Sequence, residues 1–213
     1  MRKRAAHIFC LSSILWVCLR FRHWFEKPQA CGGEAPPRAK GRNAVKEAWI
    51  DTPLGPVLAI AGEDALHLLD WDEGDRLAMG RRRLAAWGKI APGETAVHQH
   101  LRRQLAAYFA GESAAFDLPL LQPGPAFRQS VWQALLTIPA GETRTYAGLA
   151  RRIGRPQAPR AVGAANGANL ISILVPCHRL TGTDGRLTGY GGGLPRKAWL
   201  LRHEAGAFGQ HSP

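Results

Sequence analysis

The four residues Pro176-Cys177-His178-Arg179 set a potential nucleophile behind a residue that restricts the backbone and ahead of two that are, or can become, cationic. The run Leu170 to Val175 reads as β-like, and a lone cysteine after such an apolar strand is ordinarily an inert buried residue. Three features point the other way. His178 and Arg179 favour a thiolate, Pro176 stiffens the approach, and Gly182, Gly185, Gly189, Gly191, Gly192 and Gly193 surround Tyr190 in a loop suited to close backbone approach by a ligand. A Cys/His pair first suggests a thiol hydrolase. Adjacent side chains on an extended chain diverge, so contact between Cys177 and His178 requires a turn or an intervening water. Glu204 is expected at the C-terminal end of a last helix from Pro195, where a carboxylate opposes the helix dipole. It reads either as an ordinary surface Glu or as the third member of a relay in which Glu204 orients His178 and His178, through water, takes the Cys177 proton.

The elements that must position these groups are legible on both sides of Asp117 to Pro125, a stretch that breaks every periodic pattern and is read as the domain boundary. Before it, Trp49 to Asp51, Val57 to Ala61 and Leu66 to Trp71 read as three strands of a small antiparallel sheet. Residues 73–88 and 97–109 carry apolar residues at helical spacing. After it come a helix over Ala126 to Leu136, a helix from Tyr146 to Ile153 capped by Thr145, a Gly/Pro turn, and a helix from Arg160 to Asn166 opened by Pro159. The last two have the outline of a helix-turn-helix. Its second helix, Arg160-Ala161-Val162-Gly163-Ala164-Ala165-Asn166, has few side chains able to read bases. It suits close packing or a groove held without sequence reading, with Arg160 as the one long side chain at its start.

The chain has 213 residues and a formal net charge of +12, is 46% hydrophobic and contains seven Trp, which excludes a disordered chain. The charge is uneven. Residues 1–47 are basic, 48–127 are net acidic, and 128–213 are again basic, so a polyanionic partner is expected for the last segment. Ile8 to Leu19 is too short to span a bilayer, and no small-residue cleavage site follows it closely. Residues 1–47 are read first as a disordered or mis-started leader, second as a membrane-surface helix and last as an export signal. Three of the cysteines lie there, and none has zinc-finger spacing, so no metal is expected. A single cysteine in the folded part fits a reducing compartment.

Read together, Arg-Ala-Val-Gly-Ala-Ala-Asn-Gly (160 to 167), Pro-Cys-His-Arg (176 to 179), Thr-Gly-Tyr-Gly-Gly-Gly-Leu (188 to 194), Lys-Ala-Trp-Leu-Leu-Arg-His-Glu (197 to 204) and the Thr-Pro-Leu-Gly-Pro turn (52 to 56) resemble the methylated-DNA–protein-cysteine methyltransferases, bacterial constitutive type. The resemblance covers residues 48 to 204. It implies an α+β chain, with a small antiparallel sheet and helices at 48–122, a winged-helix-like helix-turn-helix reactive domain at 123–205, and a tail at 206–213. It implies a cytoplasmic monomer without cofactor that acts on double-stranded DNA containing O6-alkylguanine, with no membrane partner. Cys177 would accept the alkyl group, with His178, Glu204, Tyr146 and Asn169 in the catalytic set. Tyr146 would rotate and protonate the flipped guanine and Asn169 would pin the turn before the cysteine. Arg160 would fill the vacated stack, with Ala161, Gly163, Ala164, Tyr146 and Arg179 on the DNA, while Tyr190, Gly191, Leu180 and Lys197 would form the base pocket. Flipping is needed because a methyl on O6 is unreachable inside a duplex. The thioether product has no electrophilic centre for water, which implies single turnover. O4-methylthymine is a further candidate substrate. A non-catalytic lesion sensor and a DNA-binding regulator of the same fold are the alternatives. One departure stands out: relatives commonly have Asn-Pro where this chain has Asn169-Leu170, a loss expected to loosen the turn by about 0.4–1 kcal/mol.

Overall fold

The computed structural model of the chain describes residues 45–85 and 88–209, so the leader up to residue 44, with Cys10, Cys18 and Cys31, and the tail beyond 209 lie outside the described residues. The fold is α+β. Strands β1 (Val45–Ile50), β2 (Val57–Ala61) and β3 (Leu66–Trp71) form an antiparallel meander, as the alternation of apolar runs and turns requires. β1 begins at Val45, three residues inside the segment read as leader. A fourth strand, β4 (Ile90–Pro92), pairs parallel with β1, so the sheet has the order β3-β2-β1-β4 and is mixed instead of purely antiparallel. Three residues are too few to carry a periodic signal.

β2 and β3 are buried on both faces, which is why β2 is apolar throughout and β3 is apolar except for His67 and Asp70. Leu58, Ile60 and Leu68 face helix α1 (Arg76–Ala85), which is shorter than the predicted 73–88 and packs Leu77 and Leu84 against them. The approach is close at Gly80, where a Cβ would overlap the Leu68 side chain. The opposite face, with Val57, Ala59, Leu66 and Leu69, packs on helix α2 (Ala96–Phe109) through Val97, Leu101, Leu105 and Tyr108. This second cluster continues without interruption into the helices that follow Pro125.

Helix α3 (Ala126–Leu136) buries Val131, Trp132 and Leu135, and the Trp132 indole donates to the Ala165 carbonyl at 2.9 Å. That bond seats the helix-turn-helix, formed by α4 (Tyr146–Arg152) and α5 (Pro159–Gly167). Thr145 caps α4 by accepting from the Gly148 amide, and Gly154, with φ of 69°, makes the turn that α5 follows. A short parallel pairing joins β5 (Arg144–Thr145) to β6 (Leu180–Thr181), and so ties the residue before Tyr146 to the segment just past the cysteine. The last helix, α6, runs from Leu194 to Ala207.

The run Leu170 to Val175 forms no strand. It lies beside the end of β3, with Leu69 bridging Ile171, and then turns through Ile173, whose φ of 70° is an outlier for a β-branched residue and costs on the order of 1–3 kcal/mol. Its apolar sequence reflects burial on every side, since each residue from Leu170 to Val175 is buried.

Candidate active site

Cys177 opens a single turn of 3-10 helix, Cys177–Arg179, in which its amide bonds the Val175 carbonyl at 2.7 Å. This turn replaces the extended backbone that would have sent Cys177 and His178 to opposite faces. The thiol is 4% exposed and forms the floor of a cavity of about 450 Å³, a size usual for small-molecule sites. The walls come from Tyr146 on α4, Gly163, Asn166 and Gly167 on α5, residues 188–191 of the glycine-rich loop, and Arg76 from α1.

Behind the thiol lies Asn169, wholly buried, whose Nδ2 donates to Cys177 Sγ at 3.2 Å and to the carbonyls of Ile171 and Val175. Asn166 Nδ2 holds the Cys177 carbonyl at 3.2 Å. Burial pushes the Cys177 thiol above its ordinary pKa, opposed in part by the Asn169 hydrogen bond. The expectation that flanking His178 and Arg179 favour a thiolate is therefore overturned: the resting group is the thiol, and Arg179 points elsewhere.

Arg179 is buried, with Nε and Nη2 forked onto the two oxygens of Glu204 at 2.8 Å, and with Nη1 on the Ile138 carbonyl. It does not face the DNA-binding surface to which the sequence assigned it. Glu204 is fully buried, one turn inside α6 instead of at its end, on the inward stripe shared with Lys197 and Leu200. It also accepts from the Tyr108 hydroxyl at 2.8 Å and from His178 Nε2 at 2.9 Å. Although burial raises it, the bonds and charges of His178 and Arg179 hold the Glu204 carboxyl well below the usual carboxylate range. Burial dominates at His178 and lowers its pKa, so the imidazole is neutral. With Nε2–H donated to an ionised carboxylate, the lone pair sits on Nδ1, a buried atom with no hydrogen-bond partner among the described residues.

Lys197 does not line the cavity. Its buried amine, lowered to about 8 by burial, donates to the Leu180 and Thr188 carbonyls and so ties the middle of the glycine-rich loop to the segment that precedes it. Leu180, expected in the base pocket, does not line it either: its carbonyl accepts from Lys197, and its side chain is buried away from the cavity. Tyr190 and Gly191 do line it, and the Tyr146 hydroxyl donates to the Thr188 carbonyl at 3.3 Å across its mouth. Outside, Arg160, Ala161 and Ala164 form the exposed face of α5, flanked by exposed Arg151, Arg152 and Arg155, while Gly163 packs beneath them beside the Tyr146 ring.

Sequence reasoning missed Arg76, which bonds Asp70 at 2.6 Å and reaches the Gly167 and Asn169 carbonyls at 3.0 and 3.1 Å. It missed Asn166, Gln122 and Tyr108 as well. Asp70 in turn accepts from the Ser172 hydroxyl at 2.9 Å, so the end of β3 cradles the segment before the cysteine. None of these residues has a local signal, because each meets its partner from a distant part of the chain.

Two family models match: the ribonuclease-like domain of 6-O-methylguanine DNA methyltransferase over residues 45–122, and the DNA binding domain of the same proteins over residues 126–206. The methylated-DNA–protein-cysteine methyltransferase of Salmonella typhimurium is 46% identical over 170 residues, spanning 74% of this chain and 94% of the relative. That of Methanosarcina acetivorans is 43% identical over 157 residues, spanning 74% and 96%. Among solved structures, Mycobacterium tuberculosis OGT in complex with DNA superimposes with a TM-score of 0.66 at 44% identity, covering 76% of this chain and 94% of that one.

Proposed function

The chain belongs to the 6-O-methylguanine DNA methyltransferase family, and from that premise we infer that Cys177 is its alkyl acceptor. The protein carries out direct-reversal repair of alkylated DNA as a methylated-DNA–protein-cysteine methyltransferase. The observation that carries the assignment is the Cys177 thiol at the floor of an open cavity framed by the helix-turn-helix, with the His178–Glu204 pair behind it. We place the division of labour at residues 48–122, extended at its start to Val45 so as to include all of β1, for the sheet domain and at 123–205 for the DNA-binding domain, in the cytoplasm; no helix among the described residues is long and apolar enough to cross a membrane.

In the proposed reaction Arg160 enters the base stack and the guanine turns into the cavity between Tyr190 and Tyr146. The Cys177 proton passes through a water to His178 Nδ1, and Glu204 stabilises the imidazolium that forms. The Sγ–C bond forms as the C–O6 bond breaks, with the bonding pair leaving on the guanine. Tyr146 protonates that leaving group and is reprotonated from His178, so the sum is guanine and an S-alkylcysteine. Water has no carbonyl to attack in the thioether, and the protein stops after one equivalent. Incubation with a duplex carrying labelled O6-methylguanine is expected to leave one methyl per protein on the Cys177 peptide. Sustained turnover, or an unlabelled peptide at excess substrate, would refute the assignment.

Arg160→Ala is expected to slow transfer from a duplex by roughly tenfold or more, about 1.4 kcal/mol. Alkylation of Cys177 by iodoacetamide, which needs no flipped base, should keep its wild-type rate.

A further inference from the structure

We propose that Gln122 is a positioning residue for alkyl transfer, acting through Asn169 on the Cys177 sulfur. This rests on the reading of Cys177 as the acceptor.

Gln122 lies just before Pro123-Gly124-Pro125, in the stretch whose sequence breaks every pattern, yet it is 7% exposed and fully engaged. Its backbone is fixed: Gln129 of α3 donates to its carbonyl at 2.8 Å, and the neighbouring Leu121 amide bonds Leu66 in β3 at 2.9 Å. Its side-chain Nε2 donates to Asn169 Oδ1 at 3.1 Å, while its Oε1 accepts from the Leu170 amide at 2.9 Å. One amide therefore grips both residues of the Asn169-Leu170 turn.

Both contacts bear on the sulfur. Asn169 can donate to Sγ only while its amide keeps its present sense, with Oδ1 toward donors and Nδ2 toward Sγ and two carbonyls. The reversed amide would set an oxygen against three acceptors. Oδ1 is held by two donors, the Ile171 amide at 3.0 Å and Gln122, and Gln122 supplies the one that comes from outside the turn. Leu170 raises a second demand. A proline at this position has no N–H, whereas Leu170 brings a buried donor that is costly to leave unmet. Gln122 Oε1 meets it, so the loosening expected from the missing ring is offset by a hydrogen bond from the preceding domain. The Asn169 donor is also the largest influence favouring the thiolate against burial, which makes the strut chemical as well as mechanical.

The test compares Gln122→Leu, Gln122→Glu and Gln122→Leu/Leu170→Pro with wild type in the full chain. It reads the pH midpoint of Cys177 alkylation by iodoacetamide, the rate of methyl transfer from an O6-methylguanine duplex, and Tm. Gln122→Leu is expected to raise the pH midpoint and to slow transfer at neutral pH by about tenfold. Gln122→Glu keeps an acceptor for Leu170 but, when ionised, sets a buried carboxylate oxygen against Asn169 Oδ1 in place of the donor, so its Tm should fall while the midpoint rises. In the double variant the unmet N–H is gone, and Tm should recover without the midpoint following. A fall in Tm with the midpoint unmoved in both Gln122→Leu and Gln122→Glu would overturn the proposal and leave Gln122 a purely structural residue. A wild-type protein that takes no methyl from the duplex, alongside a shifted iodoacetamide midpoint, would overturn the acceptor reading and support the strut.

Discussion

Cys177→Ser is expected to bind an O6-methylguanine duplex as tightly as wild type and to remain unlabelled, with transfer down by at least about a thousandfold, roughly 4 kcal/mol of barrier. The serine hydroxyl fits the space of the thiol, and Asn169 can donate to oxygen as it does to sulfur, so the fold and the cavity should persist. What is lost is the nucleophile. Burial already raises the Cys177 thiol, and a neutral imidazole can draw off its proton only because a thiol is intrinsically acidic. An alcohol in the same dry site is far beyond that reach. Binding by mobility shift and transfer by mass spectrometry of the peptide spanning position 177 separate the two effects; a methyl found on the introduced serine would mean that sulfur chemistry is not required.

Glu204→Gln is expected to be the most damaging change to the fold and to cut transfer as well. One carboxylate serves Arg179, His178 and Tyr108, all from other elements and all buried. Neutralising it leaves the Arg179 charge buried without its counterion, a loss of about 3–5 kcal/mol, or roughly 6–20 °C in Tm for a chain of this size. His178 would at the same time lose the charge that stabilises its imidazolium. The pH dependence follows from the direction of the Glu204 shift. Its folded pKa is depressed, so its contribution is fully present above the ordinary carboxylate value of 4.5 and is lost as the pH falls below it toward the folded value. Wild type should therefore lose stability on acidification through that window more steeply than the variant. Thermal melts from pH 6 down to pH 2 check this, and parallel curves would contradict it.

The helices were legible because their signals are local. Apolar residues at 97, 101, 105 and 108 mark α2, and Thr145 and Pro159 mark the starts of the two DNA-binding helices. Cys177, His178, Glu204, Tyr146 and Asn169 do converge. The errors share one cause. Arg179 reads as a DNA contact because arginines usually are exposed, but its partner lies 25 residues on, in a helix whose inward face holds an acid. Lys197 is drawn from the cavity by two loop carbonyls that periodicity does not reveal. The run before the cysteine looks like a strand since burial on all sides and pairing in a sheet select the same residues.

Arg76 and Gly191 illustrate how such contacts constrain change. The guanidinium lies against the Gly191 backbone, where a Cβ would overlap it, and it is tethered there by Asp70, Gly167 and Asn169. Position 191 therefore has no freedom of its own. An alanine there would be unfavourable in the present background and acceptable once Arg76 has been shortened, so the order in which the two substitutions arise decides whether a lineage can pass between them.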